Sequence, residues 1–192
     1  MNFSNKLTIL RILLAFIFMT VISFSGIIAK VAAFLIFMLA SFTDFLDGWL
    51  ARKRKEVTDL GKILDPVADK VLVLSAFLSF VSMRLIYAWM AVVIIIRELL
   101  ITALRLFALS KGIVIEATSS GKHKTVSQIC TIFFILVALL IKEIGLKYGF
   151  WTGEFEQISR IVIMVFMTIT IALTVSSGFI YLWTNRKIIR SL

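Results

Sequence analysis

Long apolar runs broken by short polar clusters dominate this chain. They fall at about 7–25, 28–50, 63–83, 86–109, 124–142 and 159–184, each close to the ~20 residues that a hydrocarbon core requires. The pattern predicts an all-α integral membrane protein with six transmembrane helices. No internal repeat, low-complexity tract or soluble segment interrupts it, so residues 1–192 read as a single transmembrane domain. The first run has the outline of a signal peptide, with Lys6 and Arg11 ahead of a stretch ending in Ser23, Ser25 and Gly26. Arg11 lies inside the run, and the run is long enough to span, so a retained helix is expected.

Composition agrees: 60% of residues are hydrophobic, against roughly 45–50% in soluble domains. The net charge of +10 would suggest nucleic acid in a soluble protein. Here anionic lipid and phosphate groups are the expected partners, with no nucleic acid. Lys and Arg crowd one set of helix ends (Lys6, Arg11, 52–55, Lys62, Lys111, Lys122, Lys124 and 186–190), while the other set holds Lys30, Arg84, Lys142, Lys147 and Arg160. The positive-inside rule makes the richer side cytoplasmic and places both termini there. Trp49, Trp89, Trp151 and Trp183 fall near predicted helix ends, as an interfacial aromatic belt would. Cys130 and His123 are each alone in the sequence, which excludes an internal disulfide and a His-based zinc site. Cys130 reads as a small hydrophobe facing a helix or lipid.

One polar stretch changes the picture. DFLDGWLARKRKEVTDLGKILDPVAD, from Asp44 to Asp69, places Asp44, Asp47, Asp65 and Asp69 between apolar runs. A carboxylate at a bilayer centre costs roughly 2.5–3.5 kcal/mol on insertion scales. Several near one membrane face call for a neutralising cation, or at least ion pairs with Arg52, Lys62 and Lys70. Asp44, Asp47, Gly48, Ala51 and Arg52 make one helical stripe, and Gly61, Asp65 and Asp69 step by four along the next helix. If the two helices form an antiparallel hairpin, the carboxylates converge. Gly48, Ala51 and Gly61 then let backbones or a ligand approach closely. Pro66 is expected in the first turn of the third helix, which would put Asp65 at its start. Asp59 reads as a helix cap or an acceptor from a basic neighbour. Hard oxygen donors favour Mg²⁺ or Mn²⁺ over zinc, and Arg52 suits bridging phosphate oxygens.

The run Asp44-x-x-Asp47-Gly48-x-x-Ala51-Arg52, eight residues, then Gly61-x-x-x-Asp65-x-x-x-Asp69 resembles the complete signature of the CDP-alcohol phosphotransferases, with all eight positions filled. Asn5-x-x-Thr8-x-x-Arg11, Arg97-Glu98 with Arg105, and Gly121-Lys122-x-Lys124-Thr125 are similar to the bacterial phosphatidylglycerophosphate synthase branch. The resemblance implies a multi-pass homodimer in a bacterial plasma membrane, with its active site facing the cytoplasm and open to lipid. Asp44, Asp47, Asp65 and Asp69 would hold two divalent cations gripping the diphosphate of CDP-diacylglycerol. Gly48, Ala51, Arg52, Thr58 and Gly61 would line the nucleotide pocket, with Asn5 and Thr8 near its phosphates. Asp69 would also be the general base that activates the acceptor hydroxyl, so that CMP leaves.

Two arginines lie in the fourth apolar run. Arg105 reads as buried mid-helix and, with Lys122 and Lys124, as a binder of an anionic acceptor such as glycerol 3-phosphate. Arg97 sits eight residues earlier, about 80° around the helix. It has two readings, a functional cation or a salt bridge to a neighbouring acid other than Glu98, which as its immediate neighbour should point elsewhere. Lys53, Arg54 and Lys55 read as a solvated anchor, a role also open to Lys122 and Lys124. The expected reaction is phosphatidyl transfer from CDP-diacylglycerol to glycerol 3-phosphate. One alternative is the same chemistry on inositol phosphate, serine or phosphatidylglycerol. The other is a cation channel or transporter, against which stands the clustering of the acids at one end of a helix pair.

Overall fold

The structure, a computed structural model, describes residues 3–54, 59–113 and 119–186, with side chains described for 8–43, 70–113, 121 and 123–186. It is all-helical: α1 (Phe3–Ser23), α2 (Ile27–Arg54), α3 (Asp59–Ser82), α4 (Ala88–Ser110), α5 (Ser119–Tyr148) and α6 (Gly153–Thr184). Each apolar run has become a helix, and α2, α5 and α6 extend past their apolar limits into polar sequence. Among the described residues, 123–148 and 153–184 are long and apolar enough to cross a membrane.

The first three helices form one unit in which α1 packs along both α2 and α3. Helix α5 pairs with α6 and reaches back to α2, while α4 bridges α3 and α6. The core interleaves Phe18 and Ile22 of α1, Phe37 of α2, Phe77 and Phe80 of α3, Ile94 of α4 and Ile132 and Ile135 of α5, all fully buried. The outer face is equally apolar: Phe16, Ile28, Ile96, Ile161 and Phe179 are among many large hydrophobics left exposed. In water such a surface would drive association; in lipid it is the expected exterior. Cys130 is exposed on α5, in keeping with its lipid-facing reading.

The turns explain where helices stop. Leu85 N–H donates to Phe80 O, Ile113 to Ala108 O and Phe150 to Gly145 O, the six-to-one bond of a Schellman C-terminus. The left-handed residue in each motif is Arg84 (φ 57°), Gly112 (φ 76°) and Gly149 (φ 80°) respectively. At the α1–α2 turn, Lys30 Nζ donates to Ile22 O (2.7 Å) and Phe24 O (2.8 Å). Its buried ammonium thus satisfies carbonyls that the end of α1 leaves open.

Pro66 is corrected by the structure. Helix α3 begins at Asp59, so Pro66 lies beyond its first turn and Asp65 is inside a continuous helix. A proline there removes one i→i−4 hydrogen bond, but the helix continues through it to the long apolar segment that follows.

Candidate active site

The signature positions all lie on helical backbone: 44, 47, 48, 51 and 52 on the last turns of α2, and 61, 65 and 69 on the first turns of α3. Positions 44 and 47 are one turn apart, as are 65 and 69, so each pair shares a face. Their side chains lie outside the described residues, as do those of Asn5 and Lys122, and Thr58 lies outside altogether. Thr8 and Arg11 are buried on α1, the helix that packs against both signature-bearing helices.

The described part of the site is a polar seam among α4, α5 and α6. Buried Glu98 of α4 is its centre. One carboxylate oxygen accepts from Lys124 Nζ, from Gln128 Nε2 at 3.3 Å and from Arg97 Nη1 at 3.4 Å. Removing an ion from water costs several kcal/mol even after relaxation, so a buried carboxylate with three donors is a built feature. Two expectations change here. Arg97 does reach its neighbour Glu98, because its long side chain lets Nη1 meet that carboxylate while Nη2 meets Ser177. Lys124, expected to face an acceptor, is buried and paired with Glu98. Beside this pair, Lys70, Glu98, Lys124, Thr125 and Gln128 enclose a cavity of about 30 Å³. A water molecule needs about 10–15 Å³ of such space and several polar partners, and both are present. Lys70 directly follows signature residue Asp69 in α3, which links the seam to the signature helix.

Helix α6 supplies what the sequence reading missed. Arg97 Nη2 donates to Ser177 Oγ at 3.2 Å, and Arg105 Nε donates to Tyr181 Oη at 3.3 Å. The Arg105 guanidinium also lies 5.2 Å from the Tyr181 ring centroid, within cation–π range. Between these hydroxyls, a Cβ at Gly178 would come 3.3 Å from Arg97 Cγ, so the glycine makes room for the arginine stem. Arg105 is exposed, not buried mid-helix as expected; buried Tyr181 holds it from the side. A hydroxyl partner orients a guanidinium without cancelling its charge, which leaves Arg105 able to meet an anion. Toward the other helix that α6 packs on, α5, Thr170 Oγ1 bonds Thr131 Oγ1 (2.7 Å) and Ser127 Oγ (2.9 Å). The signal for this seam was a spacing of small and hydroxyl residues along α6, Thr170, Thr174, Ser177 and Gly178, which membrane helix interfaces favour.

An apolar exterior with the acidic signature positions at the ends of two helices fits a membrane enzyme of phosphate-containing lipids. The sequence matches the CDP-alcohol phosphatidyltransferase family over residues 1–183, and the chain belongs to that family. It is 40% identical over 148 residues to the CDP-diacylglycerol–glycerol-3-phosphate 3-phosphatidyltransferase of Bacillus subtilis (strain 168), covering 71% of this chain and 77% of that protein. A protein of the same description from Rickettsia bellii (strain RML369-C) is 31% identical over 186 residues, covering 97% of this chain and 96% of its own length. That of Treponema pallidum (strain Nichols) is 30% identical over 165 residues, covering 86% and 74%.

Proposed function

We propose that this protein transfers the phosphatidyl group of CDP-diacylglycerol to glycerol 3-phosphate, giving phosphatidylglycerol phosphate and CMP. The observation that carries the reading is the intact eight-position signature on two continuous helices, in a chain that matches the family over residues 1–183. Relatives described as acting on these two substrates, at up to 40% identity, favour this acceptor over inositol phosphate, serine or phosphatidylglycerol.

The donor set fits two Mg²⁺ or Mn²⁺ ions. All four candidate ligands, Asp44, Asp47, Asp65 and Asp69, offer hard carboxylate oxygens, and the helical backbone at each pair gives one-turn spacing. When bound, such ions neutralise a diphosphate and polarise the phosphoryl group. Asp69 takes the proton of the acceptor hydroxyl. Gly48, Ala51 and Gly61 leave room for the nucleotide, with Arg52 and Thr58 beside it and Asn5 and Thr8 toward its phosphates. Arg105 and Lys122 bind the acceptor phosphate, and Lys124 contributes through protons its ion pair with Glu98 leaves over. The chain works as one domain with six spans, both termini and the active site at the cytoplasmic face of a bacterial plasma membrane, and as a homodimer.

The test is turnover by the purified protein in lipid nanodiscs. CMP release should require glycerol 3-phosphate, stop with a chelator and return with Mg²⁺ or Mn²⁺. Asp65→Asn should abolish release while the protein still inserts and purifies. A preference for inositol phosphate would overturn the acceptor. Ion flux in liposomes without CMP release would make the protein a transporter instead.

A further inference from the structure

At the helix ends remote from the signature, α6 and the α3–α4 turn enclose an open groove of about 810 Å³, within the range of roughly 300–1,000 Å³ typical of small-molecule sites. Helix α6 lines it with Arg160, Ile161, Met164, Val165, Thr168 and Ile169, two residues per turn along a single face. At 1.5 Å per residue that stripe runs about 13 Å, close to one leaflet of a hydrocarbon core about 30 Å thick. The walls are apolar below and cationic above: Arg84 and Arg160 stand at the end where Tyr87 marks the turn.

Arg84 occupies a costly position. Of the three Schellman motifs, two use glycine at the left-handed residue, while the third uses Arg84 at φ 57°. An L-residue there is disfavoured by contact between its Cβ and the carbonyl oxygen. Such an outlier points to use of the side chain. Arg160 is bonded to Glu156 at 3.1 Å, but that carboxylate also serves Lys142 at 2.7 Å. Two cations therefore share one acid, and Arg84 adds a third positive charge.

We infer that this groove binds one anionic phospholipid of the outer leaflet, its phosphate between Arg84 and Arg160 and an acyl chain along the α6 stripe. The placement in the outer leaflet rests on the proposed membrane orientation; the binding itself needs no turnover. The probe is phosphatidylglycerol in phosphatidylcholine nanodiscs holding the full-length protein without substrates, with retained lipid counted by native mass spectrometry. The wild type should retain phosphatidylglycerol over phosphatidylcholine. Arg160→Gln should lower that preference by about fivefold, as expected for one cationic side chain at a lipid surface. Arg84→Gly should lower it similarly while raising the melting temperature in pure phosphatidylcholine, since glycine relieves the backbone. An Arg84→Gly protein that gains stability yet keeps the preference, or a wild type with no preference, would overturn the site. So would efficient crosslinking between copies carrying Val165→Cys in a Cys130→Ala background, because a second copy would then fill the groove. CMP release after CDP-diacylglycerol and glycerol 3-phosphate are added to parallel samples reports on the transferase reading separately.

Discussion

Glu98 is the residue on which the described site turns. Its carboxylate is 6% exposed and receives Lys124, Gln128 and Arg97. Removing one partner of a buried ion pair costs about 3–5 kcal/mol, because the other charge is stranded. Glu98→Ala should therefore lower the thermal stability of the detergent-solubilised protein sharply. Glu98→Gln, which keeps an acceptor for Lys124, should lose less. Equal melting temperatures for wild type and Glu98→Ala would show the pair to be dispensable. This residue also marks a limit of reading from sequence. Adjacent helix positions point about 100° apart, so spacing directs Arg97 and Glu98 away from each other. The long guanidinium stem overrides that angle, and spacing alone carries no information about it.

At the level of elements, α6 acts as the back wall that aims α4. Ser177 and Tyr181, one turn apart, reach Arg97 and Arg105. Tyr181→Phe keeps the ring under the guanidinium and deletes the hydroxyl, a loss of about 0.5–1.5 kcal/mol for such a bond. The KM for glycerol 3-phosphate should then rise about 2–10-fold, with the KM for CDP-diacylglycerol unchanged. A parallel rise for both substrates would assign Tyr181 to packing alone. The helices themselves were legible because a bilayer sets their length, and each apolar run became one. Their mutual faces were not. When the exterior is as apolar as the core, hydrophobicity no longer marks the inside. Pro66 misled for a related reason: a local preference for the first turn yielded to the long helix behind it.

For the whole molecule, the asymmetry of Lys and Arg was the clearest single trait, and it carries a prediction. In a Cys130→Ala background, Ser191→Cys should react with an impermeant thiol reagent only when the cytoplasmic face is opened. Tyr87→Cys, in the α3–α4 turn, should react from outside intact cells. Reversed labelling would invert the orientation and move the groove at Arg84 to the inner leaflet. The family was readable from Asp44 to Asp69 because residue types at a fixed spacing are themselves its signature. The seam at Glu98 was not, since its members come from helices far apart in the chain.

Helix α1 lies against both α2 and α3, and Lys30 closes its far end. The chain therefore packs an earlier-made helix against the two that carry the acidic motif. During synthesis the scaffold for those segments is already in the bilayer when they emerge. The two helices that carry the signature can thus find their packing partner before α5 and α6 leave the ribosome.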